Sequence, residues 1–243
     1  MTLSDYYARY AQTYTAGMGS ERYAREMPLR FVAKLKALRS FRDRGNVLEI
    51  GAADGMFARI ARAAGFDVTM ADFIPDVQVM DGLTVHPVNL NCSGGIKFAD
   101  CTFDLVTFFS CLEHVRDPRL SLLEIARVLR PGGILILDTP LVGNWAELSF
   151  PAMTHWVIPP EHINLFSGQG LISITRACGF EPLRHWPSFE RNGRRYLARR
   201  FRNTAVAVSG ALLKIVSRGR WLKQRSEKVT QAGDIQMLVC IKS

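Results

Sequence analysis

Nowhere in these 243 residues does an apolar run approach the roughly 20 residues that a membrane-spanning helix needs. The opening, Met1-Thr2-Leu3-Ser4-Asp5-Tyr6-Tyr7, has no basic stretch leading into an apolar block, so a cytoplasmic protein is expected. Cysteine is sparse. Cys92, Cys101, Cys111, Cys178 and Cys240 are odd in number, scattered, and in no C-x-x-C or Cys/His grouping. That suggests neither a disulfide framework nor a structural zinc site, leaves buried reduced thiols as the expectation, and points to no metal centre. Internal repeats and low-complexity tracts are missing as well, and with 48% hydrophobic and 22% charged residues the composition is that of a folded protein, neither disordered, collagenous nor coiled coil.

Charge is unevenly distributed. The chain carries 31 Lys and Arg against 22 Asp and Glu, a formal net charge of +9. Eleven of the basic residues lie between Arg191 and Arg225, a stretch with no acidic residue. The remainder is an ordinary, slightly acidic protein that carries one basic segment.

Strand-like and helix-like segments alternate through the middle of the sequence. Asn46 to Ile50 reads as a strand, followed by a glycine turn and a helix with Phe57, Ile60, Ala61 and Ala64 on one face, closed by Gly65. Further strands are expected at Phe66 to Ala71, Val85 to Leu90, Phe103 to Phe109, Ile134 to Leu137 and Phe180 to His185, with a last one at Ile235 to Ile241. Asp117 and Pro118 predict an N-cap and first helical residue, with a stop at Pro131-Gly132-Gly133; Ser167 predicts another cap, with Gly179 past the helix end. Before residue 45 a helix is expected, starting at Pro28, with Phe31, Leu35 and Leu38 on one face. Continuous apolar strands alternating with helices predict an α/β class: a mostly parallel sheet covered on both faces.

In such a sheet ligands bind at the carboxyl ends of the strands, so the turn Glu49-Ile50-Gly51-Ala52-Ala53-Asp54-Gly55 is the first candidate. Its glycines let a ligand approach the backbone and present amides at a helix start. Ala53 and Met56 break the G-x-G-x-x-G dinucleotide pattern, and no Lys-Ser/Thr pair follows for a P-loop. The Glu49 carboxylate is a poor neighbour for a pyrophosphate and a good one for a cationic ligand.

These residues resemble the first motif of the class I S-adenosylmethionine-dependent methyltransferases, Glu/Asp-x-Gly-x-Gly-x-Gly. The resemblance runs over roughly residues 45 to 185: Asp72 ends the second strand, Asn89-Leu90-Asn91 follows, then Phe98 to Val106, Leu112-Glu113-His114-Val115, Leu129 to Gly133, and Pro160 to Phe166 before a helix ending Ala177-Cys178-Gly179-Phe180. The later blocks are those of the small-molecule branch. The resemblance implies a Rossmann-like, mostly parallel seven-stranded sheet with its last strand antiparallel, and S-adenosylmethionine as cofactor. It also implies cofactor contacts at Glu49, Gly51, Ala53, Gly55, Asp72 (ribose hydroxyls), Asn89 and Leu90 (adenine) and Ser110. Ala53 stands where the family has its central glycine and Asn89 where it often has an acid. Asp104 is read as support for its strand and not as part of the site.

His114 and His162 are the candidate catalytic residues, because both fall in motif blocks at the edge where the acceptor must lie, and an imidazole can remove a hydroxyl proton near neutral pH. A structural role in the loop is the competing reading for each. For the basic segment three readings stay open: a solvated helix, a nucleic-acid patch, or an anionic-membrane contact through Leu197, Phe201, Val208, Leu212 and Ile215. Nucleic acid is disfavoured, since the loop after the fourth strand reads Ser110-Cys111-Leu112-Glu113 where amino-methylating nucleic-acid enzymes typically carry Asn/Asp-Pro-Pro-Tyr. The expected organisation is one domain: a helical cover (1–44), a cofactor core (45–185), a basic insertion (186–233) and the last strand (234–243). The expected activity is methyl transfer to a small-molecule or lipid-linked acceptor, at oxygen. A nucleic-acid methyltransferase and a non-catalytic cofactor-binding or membrane-associated protein are the alternatives.

Overall fold

The computed structural model describes residues 21–73, 84–142, 161–187 and 235–243. The basic segment and the first 20 residues lie outside them. In chain order the elements are α1 (Glu21–Arg39), β1 (Asn46–Ile50), α2 (Met56–Ala63), β2 (Asp67–Asp72), β3 (Val85–Pro87) and β4 (Phe103–Phe109). Then come α3 (Pro118–Val128), β5 (Leu129–Pro140), α4 (Gly168–Ala177), β6 (Phe180–Pro187) and β7 (Ile235–Lys242).

The strands form one seven-stranded sheet in the order β3-β2-β1-β4-β5-β7-β6. β3 to β5 pair in parallel, and β7 inserts antiparallel between β5 and β6. This is the expected α/β architecture, with the antiparallel last strand where the resemblance put it. The order reverses at β1, with β2 on one side and β4 on the other, so the loops after β1 and β4 diverge and open the crevice in which such sheets bind ligands.

Local sequence explains the element ends. Asp117 accepts from the Leu120 amide across 3.0 Å and Pro118 supplies the first helical φ, so α3 starts where the cap predicts. Ser167 caps α4 by accepting from Gly170 N at 3.1 Å. Gly65 and Gly179, past the ends of α2 and α4, take φ of 95° and 84°, which costs glycine little.

Three expectations are corrected. Pro28 lies inside α1, not at its start. The third strand is only Val85–Pro87, because the chain turns away at Asn89, whose amide bonds to Gly95 O. And α3 stops at Val128: Leu129 is already extended and pairs with Phe103, so Pro131, Gly132 and Gly133 belong to an irregular start of β5 and not to a helix stop. Gly132 has φ of 72° there, and a Cβ on Gly133 would lie 2.8 Å from Arg130 O, so both glycines serve the bulge.

The core has two parts, one on each face of the sheet. Leu48, Ile50, Phe108, Leu122, Ile125, Leu137 and Leu171 are packed under α3 and α4. Val47, Phe57, Ala61, Met70, Leu105 and Val239 are packed under α1 and α2. α1 is anchored by the fully buried Leu38, worth about 2 kcal/mol by apolar burial, and by the Phe31 ring 5.7 Å from that of Phe57. Asp104 supports β4 from its amino end: it accepts from Asn46 N (2.9 Å), Arg130 Nη1 (2.7 Å) and Arg42 Nη1 (3.1 Å).

Candidate functional site

The turn between β1 and α2 runs through left-handed backbone at Gly51 (φ 78°), Ala53 (φ 49°) and Gly55 (φ 74°). Gly51 is fixed from two sides. Its amide bonds to Ala71 O on β2, and a Cβ at this position would lie 2.3 Å from Cys111 Sγ. Ala53 stands in the conformation its missing glycine would take, at a cost of roughly 1–2 kcal/mol. Its amide is held by the Asp72 carboxylate at 2.9 Å, which offsets part of that strain. Asp54 Oδ1 accepts from Met56 N at 3.1 Å, taking one of the orphan amides at the α2 start.

Glu49, the last but one residue of β1, is 4% exposed, and its Oε2 has no hydrogen-bond partner among the described residues. Burial raises its pKa well above the ordinary carboxylate value, opposed by the Lys34 ammonium and reinforced by Asp54 and Asp72. A buried acceptor left open is costly, and a cationic donor is what would relieve it. Asn89 and Leu90 are placed differently from the turn. Asn89 is exposed and its Oδ1 accepts from the Asn91 amide at 3.1 Å, while Leu90 is fully buried in the core with its carbonyl accepting from Ser121 Oγ.

The other side of the crevice is built by β4 and β5. Ser110, with φ of 50°, donates through its amide to Asp138 Oδ1 at 2.7 Å, and its hydroxyl lies 3.2 Å from the same oxygen. Asp138 is 1% exposed and pairs with Lys34 of α1 at 2.6 Å; that ammonium also sits 4.0 Å from the centre of the Phe109 ring. Lys34 and Asp138 were not apparent from the sequence, because nothing local to either residue signals the other.

Further along the β4 loop, Glu113 is 2% exposed and its Oε2 accepts from Thr139 Oγ1 at 2.9 Å. Burial pushes its pKa up to about 8. Its backbone carbonyl accepts from the amides of Ile163 and Asn164, at 2.9 and 3.1 Å, and Asn164 reaches Val115 O. These bonds lay segment 161–164 against the β4 loop and bring His162 beside His114, with ring centroids 4.8 Å apart. His114 Nδ1 donates to Glu161 O at 2.9 Å, since a carbonyl can only accept, so the neutral ring keeps its lone pair on Nε2. Burial lowers the His114 pKa, and His162 opposes a second charge. The two candidate histidines are therefore brought together. Glu113, which no local pattern singled out as functional, bonds to Thr139 of the sheet on one side and faces His114 on the other.

The turn and the acid at Asp72 suit a ligand with a cationic end and vicinal hydroxyls: an open carboxylate oxygen at Glu49, close-approach backbone at Gly51, and a carboxylate at the end of β2. A profile described as a methyltransferase domain matches residues 21–185, more than half of the chain. The chain belongs to the S-adenosylmethionine-dependent methyltransferases. S-adenosylmethionine is accordingly its cofactor. Among its relatives, the malonyl-[acyl-carrier protein] O-methyltransferase of Erwinia billingiae is 28% identical over 163 residues, which cover 63% of this chain and 62% of that one. The demethylmenaquinone methyltransferase of Corynebacterium urealyticum is 32% identical over 107 residues, covering 42% of this chain and 46% of the other. The chain thus spans less than two thirds of the length of either relative. In fold it is similar to the 1,6-didemethyltoxoflavin-N1-methyltransferase of Burkholderia thailandensis, solved with S-adenosylhomocysteine, at a TM-score of 0.59 and 14% identity, covering 100% of this chain and 91% of that one.

Proposed function

We propose that this chain transfers a methyl group to an oxygen atom of a small-molecule or lipid-linked acceptor. The observation that carries the reading is the pair of imidazoles brought together where segment 161–164 meets the β4 loop, with His114 Nδ1 bonded to the Glu161 carbonyl and Cys111 of the same loop packed against the cofactor turn at Gly51. Bound S-adenosylmethionine supplies a sulfonium methyl, open to in-line attack. The chain's own residues do the rest. Glu49 would receive the ammonium end, Gly51, Ala53 and Gly55 would admit it to the backbone, and the Asp72 carboxylate at the end of β2 would accept from the ribose hydroxyls. Ser110, fixed by Asp138, closes the β4 side. Asn89 and Leu90 contribute backbone shape near the adenine, since the Asn89 side chain is turned to Asn91.

His114, kept neutral by burial and by His162, is suited to take the proton of an acceptor hydroxyl as it becomes a nucleophile. The Erwinia relative, named for O-methylation, favours the same atom. Lys34 ties α1 to Asp138 of β5, which supports reading 1–44 as the cover; 45–185 is proposed as the core, 234–243 as the last strand and 186–233, nearly all of it outside the described residues, as an insertion. The test is incubation with methyl-labelled cofactor and fractionated extract, with the product identified by mass. Label appearing on an oxygen of a small or lipid-like molecule is the expected result, and label on nucleic acid or on nothing refutes the reading.

Among the described residues no helix is long and apolar enough to cross a membrane. The basic segment 191–225 is proposed to dock on anionic lipid, where a lipid-linked acceptor resides. Each basic residue near such a surface is worth about 1 kcal/mol, screened by salt. Co-sedimentation with anionic but not neutral liposomes, weakening at high salt, is expected; preference for RNA or DNA overturns it.

A further inference from the structure

Two buried polar atoms without a partner among the described residues lie side by side on one face of the sheet. Glu49 Oε2 on β1 and Thr107 Oγ1 on β4 belong to residues paired in register, and alternation along each strand turns both side chains to the face that carries Val47 and Leu105 under α1. From α1 a cation is set against this face. Lys34 Nζ lies 2.6 Å from Asp138 Oδ2, and 4.0 and 5.4 Å from the centres of the Phe109 and Phe31 rings. We propose that Lys34 is a positioning residue for the cofactor: fixed between Asp138 and these rings, its ammonium supplies the field that readies the Glu49 carboxylate for the ammonium end of S-adenosylmethionine. The inference rests on the reading of Glu49 as the group that receives that end.

The seat of the ammonium is built from several sides. Asp138 is buried, and its other oxygen is engaged by the amide and hydroxyl of Ser110, which leaves Oδ2 to Lys34. Phe109 is the register partner of Asp138 on the neighbouring strand, so ring and carboxylate form one surface for the cation. The charged groups that act on Glu49 come from three elements. Burial disfavours its anion most, and Asp54 in the turn and Asp72 on β2 add like charge. Of the two effects that favour the anion, the larger comes from Lys34 and the smaller from a bond to the Ala58 backbone. The side chains on β4 and its loop contribute no charge here: Thr107 is neutral, and burial holds the Cys111 thiol in its neutral form.

The direction of the effect follows. Below the pH at which Glu49 ionises in the free protein, a cationic ligand binds only as the Glu49 proton leaves for solvent, so affinity falls as pH is lowered and binding releases a proton. Above that pH neither occurs. Loss of the Lys34 charge favours neutral Glu49, which displaces the whole profile to higher pH and increases the proton release at any pH within it. A change in the packing of α1 lowers affinity equally at every pH and leaves proton release as it was.

The full chain is titrated calorimetrically with S-adenosylhomocysteine, which has the same amino-acid end, between about pH 5 and 8, in buffers of different ionisation enthalpy so that released protons are counted. Lys34→Met should bind about tenfold more weakly at pH 7, with its profile displaced to higher pH and more proton released. Lys34→Arg, which keeps the charge, should restore both. Since Lys34→Met leaves Asp138 buried without its partner, Lys34→Met/Asp138→Asn is measured beside it and should show the same displacement, with the thermal melt recording stability separately. A profile that moves in neither of these proteins, or a Lys34→Arg that behaves as Lys34→Met does, overturns the inference. Glu49→Gln should bind with no proton release in this range and no response to the Lys34 substitutions. Wild-type chain that releases no proton, with Glu49→Gln binding as tightly, removes Glu49 from the ammonium end and the inference with it; proton release that depends on Glu49 and is unmoved by Lys34→Met removes Lys34 alone.

Discussion

At the β1–β2 end of the carboxyl edge, the site consists of one continuous turn, residues 49–55, and one strand end, Asp72, tied together by Ala53 N and Asp72 Oδ2. At the β4–β5 end it is assembled from the loop 110–114, from Asp138 and Thr139 on β5, from 161–164, and from Lys34 on α1. The first end is backbone geometry, which must accept a ligand of fixed shape, and few residue types satisfy it. The second is a set of side chains held by tertiary contacts, so exchanging them is expected to change turnover without disturbing cofactor binding.

The largest effect of any substitution on turnover without effect on cofactor affinity is expected at the second end. His114→Ala and His162→Ala should each lower kcat by about 10²–10⁴-fold, the loss expected when a general base or its neighbour is removed. Calorimetric titration with S-adenosylhomocysteine should give affinities within about twofold of wild type. A parallel loss of cofactor affinity would show that the two ends are not separable.

Gly51→Ala probes the seam between them. The added Cβ meets Cys111 Sγ at 2.3 Å and sits at φ of 78°, so overpacking of about 1–3 kcal/mol adds to about 1–2 kcal/mol of backbone strain. The urea midpoint should fall accordingly. Pairing it with Cys111→Ala should restore the steric part and leave the backbone part, a coupling that a double-mutant cycle reads directly. Additive losses would mean that Cys111 is not what confines the turn.

The same contrast explains what could be read from the residues alone. β1, the α2 and α4 terminators Gly65 and Gly179, the caps Asp117 and Ser167, and the turn at Gly51 are local chemistry, and each was legible. Pro131-Gly132-Gly133 was misread as a helix stop, because the pairing of Leu129 with Phe103 that ends α3 one turn earlier is a long-range event. The Lys34–Asp138 pair joins α1 to β5 and left no pattern in either segment. Glu113 did leave one: a carboxylate in an otherwise apolar Cys111-Leu112-Glu113 run that enters a buried loop. Asn89 was placed by motif alone, and the motif could not foresee that its amide would be engaged by Asn91.

Asp72→Ala is expected to have a smaller effect than Gly51→Ala on stability and a clear one on binding. Loss of its charge-assisted acceptors should cost about 2–3 kcal/mol, at least tenfold in affinity for S-adenosylhomocysteine. Asp72→Asn retains one acceptor oxygen for Ala53 and should lie between. Equal affinity in all three proteins would detach Asp72 from the cofactor.

The smallest effect is expected at the opposite edge of the sheet, where Asp104 joins β1 to β4 with no part in either end of the site. Burial alone would raise its pKa, but the Asn46 amide and the Arg130 and Arg42 guanidinium groups outweigh that and hold it below the ordinary carboxylate value. A depressed pKa in the folded state means that the unfolded chain binds this proton more readily. The stabilisation is therefore complete above the ordinary value and lost as pH falls through the depressed one. Asp104→Asn should lower stability by about 1–2 kcal/mol at pH 7, through the weaker bonds of a neutral acceptor to Arg130 and Arg42. The gap between wild type and variant in urea unfolding should narrow as the pH is brought below the ordinary carboxylate value, while S-adenosylhomocysteine affinity at pH 7 stays unchanged. A gap that is constant with pH would place the effect in packing against Gly45, whose added Cβ would lie 2.9 Å from Asp104 Oδ2, and a change in affinity would mean that the amino edge of β4 is coupled to the crevice at its other end.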